Sequence, residues 1–244
     1  MIKQNTLLVV DAGNTSIKIA VFIDGEITDI QRFEINNFAR IEAWSKMHYN
    51  TPSILSSVRS LDETIRLEKL FFSCLVVNNS TSLPIDVKYS TPKSLGIDRI
   101  CNAVAIAENC PNQNVVSIDL GTCLKFDFVN DNNEYLGGSI SPGIQMRYKS
   151  LNDYTSNLPL IDECSSIPLI GTSSKESIHS GVINGIQAEI IQLMQRYSEE
   201  FRDLTFFMTG GDIQYFDFPL KNNIFVDENL TLKGLYQIYL FNAH

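Results

Sequence analysis

The stretch LLVVDAGNTSIKIAVF, residues 7–22, decides the fold of this chain. Four apolar residues, typical of a buried strand, run into Asp11 and Gly13, and a second apolar strand follows at once. Two strands joined in this way form a hairpin, and a glycine at its tip leaves backbone N–H groups exposed. Because Asn14 and Thr15 add side-chain donors, the tip is suited to binding phosphate.

A second stretch, VSIDLGTCLKFDFV at 116–129, repeats this pattern. Omitting Asn14 aligns four residues of the first stretch with four of the second: Asp11 with Asp119, Gly13 with Gly121, Thr15 with Thr122 and Lys18 with Lys125. We interpret the repeat as a duplication that places two hairpins across a cleft, where they would hold a polyphosphate. Chance similarity between two strand–turn–strand segments is the alternative.

The Asp at each strand end can bind a hard cation, directly or through water, and Mg²⁺ usually accompanies phosphates. Neither the GxxxxGK[ST] loop of P-loop enzymes nor the GxGxxG turn of dinucleotide-binding proteins is present. The phosphate site predicted here is therefore of another kind.

The rest of the chain alternates strand and helix signals in the order β-β-β-α-β-α, and a similar order begins again after residue 113. This repeat predicts two domains, at 1–112 and 113–244. Further elements predicted along the chain are helices at 61–73, 98–110 and 173–201 and a strand at 85–90. Ser173 and Glu176 form a capping box at the start of the longest helix.

Composition excludes several classes of protein. The chain of 244 residues carries 19 Lys and Arg against 28 Asp and Glu, a net charge of −9, which disfavours binding to nucleic acid or to anionic lipid. No apolar run approaches the ~20 residues of a membrane span or resembles a signal peptide. We therefore expect a cytoplasmic protein with no nucleic-acid or membrane partner. Five cysteines without CxxC spacing are predicted to be reduced thiols: Cys74, Cys101, Cys110, Cys123 and Cys164.

Six motifs in order along nearly the whole chain give it a resemblance to the type III pantothenate kinases. They are DAGNTSIK (11–18), LGIDRI (95–100), DLGT (119–122), GGSISPG (137–143), GTSSKESIHSG (171–181) and TGGD (209–212). That family belongs to the acetate and sugar kinase/heat-shock protein 70/actin superfamily. The resemblance implies an α/β fold of two duplicated ribonuclease-H-like domains, the actin-like ATPase fold, with an active-site cleft between them.

The resemblance also implies the activity: ATP-dependent phosphorylation of pantothenate to 4′-phosphopantothenate, the first step of coenzyme A biosynthesis. Asp98 would be the general base that takes the proton from the pantothenate hydroxyl. Asp119 would bind a monovalent cation, K⁺ or NH₄⁺, and Asp11 would bind Mg²⁺ through phosphate or water. The family forms homodimers, so a homodimer is expected here.

The remaining site residues follow from the same resemblance. Pantothenate would be bound by Tyr89, Gly96, Ile97, Asp98, Arg99 and Ser174, with Arg99 suited to bidentate recognition of its carboxylate. ATP would be bound by Asp11, Ala12, Gly13, Asn14, Thr15, Ser16, Ile17, Lys18, Thr122, Gly210, Gly211 and Asp212.

Several of these residues also have a structural interpretation. Asp98 could serve only as the N-cap of the helix at 98–110, Asp119 as a turn residue, and Tyr89 as a core aromatic. Ser174 could merely begin a helix, and TGGD could be an ordinary turn. The second phosphate motif departs from the family's Ala and Thr at Cys123, Leu124 and Lys125, where the lysine could supply a charge or point to solvent.

Two other functions stay open at this stage. One is a non-catalytic regulator that binds nucleotide without phosphorylating pantothenate. The other is a different small-molecule kinase, or a polyphosphate hydrolase, on the same scaffold. The intact LGIDR segment, residues 95–99, favours the kinase, since a pure binder has no need of the base.

Overall fold

Two β-sheets organise the chain, each built around one of the two hairpins. The structure is a computed structural model, and it describes residues 6–161, 168–216, 218 and 223–243. The first sheet has the order β3-β2-β1-β4-β5. Its strands are β1 (Thr6–Ala12), β2 (Ser16–Ile23), β3 (Glu26–Glu34), β4 (Ser53–Ser57) and β5 (Cys74–Val76).

The second sheet has the order β11-β10-β7-β8-β9-β6. Its strands are β6 (Asp86–Val87), β7 (Val115–Leu120), β8 (Cys123–Val129), β9 (Glu134–Pro142), β10 (Thr205–Thr209) and β11 (Ile224–Val226). Apart from β6, the order β9-β8-β7-β10-β11 repeats that of the first sheet strand for strand. A duplicated unit predicts this repetition.

Six helices of the described residues pack on the two sheets. They are α1 (Phe38–Met47), α2 (Leu61–Glu68), α3 (Ile97–Asn109), α4 (Ile144–Asp153), α5 (Ser174–Glu200) and α6 (Leu230–Asn242). Helices α3 and α6 pack against each other between the sheets, with α6 on β1 and β4 and α3 on β7 and β8. Helices α1 and α2 cover the outer face of the first sheet, and α4 and α5 that of the second.

The central strands have both faces buried, which explains their unbroken apolar runs. In β1, Leu7 and Val9 face the layer of α3 and α6, whereas Leu8 and Val10 face α1 and α2. All four side chains are at most 4% exposed. The core therefore holds the end of β1, and with it Asp11, in a fixed position.

Some elements differ from their predicted bounds. The helix predicted at 61–73 ends at Glu68, and of the strand predicted at 85–90 only Asp86–Val87 pairs. Helix α4 was not predicted, because only Ile144 and Tyr148 of its ten residues are buried and the apolar pattern is weak. Helix α3 begins at Ile97 with Gly96 as its N-cap, so the alternative that Asp98 merely caps the helix is wrong.

Two elements cross between the halves of the sequence. Strand β6 pairs with β9 of the second sheet, and α6 packs on the first. The domain division at residues 112 and 113 stays a prediction. Cys74, Cys101, Cys110 and Cys123 are free thiols, and Cys164 lies outside the described residues.

None of the helices in the described part of the chain combines the length and apolar character needed to cross a membrane.

Candidate active site

The two hairpins place the same pair of residues side by side. In the first, Asp11 of β1 is the cross-strand partner of Lys18 of β2, and in the second, Asp119 of β7 is the partner of Lys125 of β8. The tips that follow these pairs are open to solvent at Asn14, Thr15 and Thr122. The residues that the alignment of the two stretches matched therefore occupy equivalent places in the two hairpins.

Not every predicted nucleotide residue has an exposed side chain. Ala12 and Ile17 are fully buried in the outer core of the first sheet, so only their backbone groups can contact a ligand. Gly13 closes the hairpin by donating its N–H to the Ser16 carbonyl at 3.1 Å. A phosphate at the tip can therefore contact backbone groups and the polar side chains of Asn14 and Thr15.

The start of α3 brings the predicted general base to the second hairpin. Asp98 lies in the first turn of the helix, and a Cβ on Gly96 would come within 2.5 Å of its Oδ1 atom. Since the φ angle of Gly96 is −62°, the backbone itself would accept a larger residue. Glycine is therefore needed here to leave room for the Asp98 carboxylate.

The Lys125 ammonium lies between the carboxylates of Asp98 and Asp119. Its Nζ lies 2.5 Å from Asp98 Oδ2 and 2.7 Å from Asp119 Oδ2, and the lysine side chain is 13% exposed. Burial acts to lower the pKa of Lys125, but the charges of Asp119 and Asp98 outweigh it, so this pKa is raised. The ammonium therefore stays charged between two carboxylates.

Asp11 belongs to the first sheet, and its carboxylate is positioned by a hydrogen bond instead of the ammonium that Asp98 and Asp119 share. Its Oδ1 accepts a 3.3 Å hydrogen bond from Ser56 Oγ. Burial raises the pKa of Asp11 to about 6, against the opposing charge of Lys18, and the charges of Asp98 and Asp119 raise it further. The carboxylates of the two halves thus lie close enough to repel one another.

The third part of the site is the turn after β10. Gly210 has a φ of +103°, and a Cβ there would meet the Leu120 carbonyl at 2.2 Å, so only glycine fits. Asp212 donates its N–H to the same carbonyl at 3.0 Å. Burial, together with the charge of Asp119, raises the pKa of Asp212 to about 6. A Cβ on Gly211 would meet nothing within 4 Å, so this turn borders open space.

Arg99 points away from Asp98 into a buried polar group. Its Nε and Nη2 atoms lie 2.8 and 2.7 Å from Asp127 Oδ1, which also accepts a 2.7 Å bond from the Tyr135 hydroxyl. The guanidinium carbon lies 5.9 Å from the ring centre of Tyr89. Arg99 and Tyr89 are thus neighbours, and Asp127 holds the arginine in place.

Ser174 is the predicted site residue that lies apart. It is exposed at the first turn of α5 and lines a cavity of about 830 Å³. The residues around this cavity include Arg147, Leu158 and Gly171, and none of the other predicted site residues lines it. The described contacts therefore do not bring Ser174 to Asp98.

Comparison with known protein families identifies the family of this chain. A sequence model of the type III pantothenate kinases matches residues 7–196. The chain belongs to the type III pantothenate kinase family. The predicted family is confirmed, and the matched region contains both hairpins, the start of α3 and Ser174.

Curated members of the family match along nearly the full chain. The type III pantothenate kinase of Christiangramia forsetii is 42% identical over 96% of this chain and 98% of its own length. That of Flavobacterium johnsoniae is 38% identical, also over 96% and 98%.

Solved structures confirm the fold class. A Campylobacter jejuni protein assigned to the Baf family of transcriptional activators superposes with a TM-score of 0.62 at 22% identity, over 97% of this chain and 98% of its own. A glucokinase from an Antarctic psychrotroph gives a TM-score of 0.52 at 12% identity, over 98% and 99%. The two-domain fold shared with sugar kinases is the actin-like fold predicted above.

Beside its family motifs, the site contains residues that the sequence analysis did not single out. Ser56 bonds to Asp11, and Arg59 donates from Nη1 to the Gly13 carbonyl at 3.3 Å. Asp127 holds Arg99 with help from Tyr135. A usable signal was present for Asp127: the alternation of polar and apolar residues in CLKFDFV (123–129) puts it on the same face of β8 as Lys125.

Proposed function

We propose that this chain transfers the γ-phosphoryl group of ATP to the hydroxyl of pantothenate, giving 4′-phosphopantothenate and ADP, as the first step of coenzyme A biosynthesis. Membership of the type III pantothenate kinases supports this function. The observation that carries it is the position of Asp98, at the start of α3 and joined through Lys125 to the second phosphate hairpin.

The chemistry assigned to each residue follows from its place. Asp98 accepts the proton of the pantothenate hydroxyl as its oxygen attacks the γ-phosphorus and the bond to ADP breaks. The hairpin tips bind the phosphates through the backbone N–H groups of residues 14, 15 and 122 and through hydroxyls, since the N–H groups of Gly13 and Gly121 donate to carbonyls of their own hairpins. The turn 210–212 borders the adenosine. Tyr89 binds pantothenate together with Gly96 and Ile97. Arg99 is 5% exposed and its guanidinium is paired with Asp127, so recognition of the pantothenate carboxylate by Arg99 stays a prediction.

Mg²⁺ fits beside Asp11. No set of three or more Asp, Glu, His or Cys side chains is arranged to hold a metal within the described residues. Mg²⁺, however, is usually held by one or two carboxylates together with the phosphates of the substrate. Asp11 is partly buried and close to other carboxylates, so a cation would relieve its unfavourable charge. When bound, Mg²⁺ would neutralise phosphate charge in the transition state.

A monovalent cation at Asp119 fits less well. The ammonium of Lys125 already lies 2.7 Å from that carboxylate, so K⁺ or NH₄⁺ would have to share it with a fixed positive charge. The residues present therefore do not fit the ion that the family resemblance implies at this position.

The assembly and location proposed with this function are a homodimer in the cytoplasm. Both rest on the family. Light scattering of the purified protein tests the dimer, and a monomer with full activity would refute it.

The function is tested by mixing the protein with ATP, Mg²⁺ and pantothenate and detecting 4′-phosphopantothenate by mass spectrometry. We expect the product and an equal amount of ADP, and no ADP without pantothenate. ADP released without pantothenate would indicate a hydrolase, and phosphorylation of glucose instead would indicate another kinase. Nucleotide binding without turnover would indicate a regulator.

A further inference from the structure

We propose that the Lys125 ammonium is a built-in cation that takes the place of the monovalent ion at Asp119, so that turnover by this chain does not depend on K⁺ or NH₄⁺. Lys125 is then also a positioning residue, because the same ammonium fixes the carboxylate of Asp98. The turnover measurements that test this inference rest on the proposed function, whereas the melting-temperature measurements do not.

The first support is the geometry of the bridge. Nζ of Lys125 contacts Asp98 at 2.5 Å and Asp119 at 2.7 Å, and the three side chains are 13%, 28% and 15% exposed. Lys125 reaches this position from the strand directly opposite Asp119, in a hairpin whose flanking residues Leu124 and Phe126 are buried. The ammonium is therefore tethered by the folded sheet at the carboxylate where the ion is expected.

The second support is the difference between the two hairpins. Lys18 holds the position in the first hairpin that Lys125 holds in the second, yet its Nζ contacts the Glu228 carbonyl at 3.4 Å. Asp11 takes part in none of the ion pairs found among the described residues, whereas Asp119 does. One hairpin thus leaves its carboxylate available to a cation that arrives with the nucleotide, and the other supplies a cation of its own.

The third support is the local charge. The charges of Asp98 and Asp119 act on Asp11, and that of Asp119 acts on Asp212, so the site needs positive charge even before a nucleotide binds. An ammonium on the chain meets this need without ordering a free ion. A second cation at Asp119 would be repelled by the first at close range.

The test compares wild type with Lys125→Met, which keeps most of the length of the side chain and removes its charge. Lys149→Met is the matched control, because Lys149 forms an exposed ion pair with Asp153 on α4, away from the site. Product is measured directly by mass spectrometry in choline chloride or KCl at equal ionic strength, since coupling enzymes can need K⁺ themselves.

We expect KCl and NH₄Cl to change the turnover of wild type and of Lys149→Met by less than about twofold. Lys125→Met should lose at least about tenfold in choline chloride and recover part of this loss in KCl or NH₄Cl. A merely structural lysine would not create such a response to a specific ion. Wild type that is inactive in choline chloride and active in KCl would overturn the inference, as would Lys125→Met with unchanged turnover.

Thermal unfolding gives a second measurement that needs no activity. The melting temperature of wild type should be the same in choline chloride and KCl, whereas that of Lys125→Met should rise with KCl concentration as an ion binds. A KCl-specific rise in wild type would refute the built-in cation. If wild type forms no product in any salt, the proposed function fails, and these melting curves still decide the inference. If Lys125→Met does not fold, wild type alone decides it.

Discussion

Carboxylates crowd the centre of this site, and the residues around them set what each can do. Asp119 and Asp98 share the ammonium of Lys125, whereas Asp11 contacts a serine hydroxyl. An ion pair holds a carboxylate in place, whereas the charge of a partly buried carboxylate without an ion pair destabilises the folded protein until a cation binds. The unequal pairing therefore distinguishes Asp98, the proposed base, from Asp11, the carboxylate proposed to bind a cation.

The absence of a side chain at residue 96 is predicted to matter for catalysis more than for stability. In Gly96→Ala the new methyl would push against Asp98 Oδ1, only 2.5 Å away, and displace the carboxylate. We expect kcat to fall about tenfold or more, because small misplacements of reacting groups are costly, and the melting temperature to change little. Gly185→Ala is the control, since its methyl meets nothing within 4 Å. An unchanged kcat in Gly96→Ala would contradict the role given to this glycine.

The raised pKa of Asp11 predicts a pH dependence of stability. The folded state binds the proton more tightly than the unfolded state, so the stability that Asp11 contributes is present below about pH 4 and is lost as the pH rises through about 6. Without Mg²⁺ or nucleotide, Asp11→Asn should therefore be more stable than wild type near neutral pH, by at most about 3 kcal/mol. The two proteins should be equally stable near pH 4.

Chemical denaturation across this pH range measures the effect of Asp11→Asn. Asp131→Asn, at an exposed turn residue, is the control and should follow wild type at every pH. If Asp11→Asn were less stable than wild type near neutral pH, Asp11 would have a stabilising partner that the observed contacts do not include.

Sequence patterns predicted these residues to different degrees. Asp11, Asp98 and Asp119 could be named because each lies within a recognisable motif. The direction of Lys125 was left open, because a lysine in a strand can reach solvent or a neighbour, and only the register of β7 and β8 decides between them. The attachment of Arg99 to Asp127 depends on how α3 packs on β8, which no local pattern specifies.

Helix α3 is the element on which the site depends. It is buried along most of its length, and it carries Asp98 at its first turn while packing on α6 and on the second sheet. Gly234 of α6 allows the close approach, because a Cβ there would lie 1.8 Å from the Cys101 carbonyl of α3. The position of Asp98, the proposed general base, is thus set by contacts on the inner side of both sheets.

This packing predicts that Gly234→Ala separates α3 from α6. The methyl cannot fit against the α3 backbone, so we expect a net loss of about 1–3 kcal/mol in the free energy of unfolding despite the higher helix propensity of alanine. Gly185→Ala, in the middle of α5 with open space around it, should instead be neutral or stabilising by up to about 1 kcal/mol. Denaturant unfolding of both variants measures the difference, and equal stabilities would refute the close packing.

Elements with a clear period could be predicted, and those without one could not. The hairpins, α3 and α5 lie within a few residues of their predicted positions, because their apolar patterns match strand or helix periods. Helix α4, with two buried residues, was not predicted, and the strand predicted at 85–90 pairs only at Asp86–Val87, with a strand far away in the sequence. Tertiary contacts define the existence of α4 and the bounds of β6, so the sequence pattern alone does not give them.

At the scale of the whole molecule, the duplication explains why one cleft holds two similar hairpins. Five strands of each sheet follow the same order, and each central hairpin pairs an Asp with a Lys at the same register. The two hairpins nevertheless differ in their contacts: in the second, Lys125 joins Asp98 to Asp119, whereas in the first Asp11 accepts a hydrogen bond from Ser56 and is the carboxylate proposed to bind a cation. The site is therefore a joint property of both halves.

The proposed mechanism depends above all on Asp98 accepting the proton of the pantothenate hydroxyl. It is tested by measuring the turnover of Asp98→Asn together with its affinity for ATP and Mg²⁺, with the exposed Asp131→Asn as control. We expect Asp98→Asn to lose at least about a hundredfold in kcat, while its nucleotide affinity and melting temperature stay close to those of wild type. Turnover of Asp98→Asn within about threefold of wild type would contradict the assignment of Asp98 as the base.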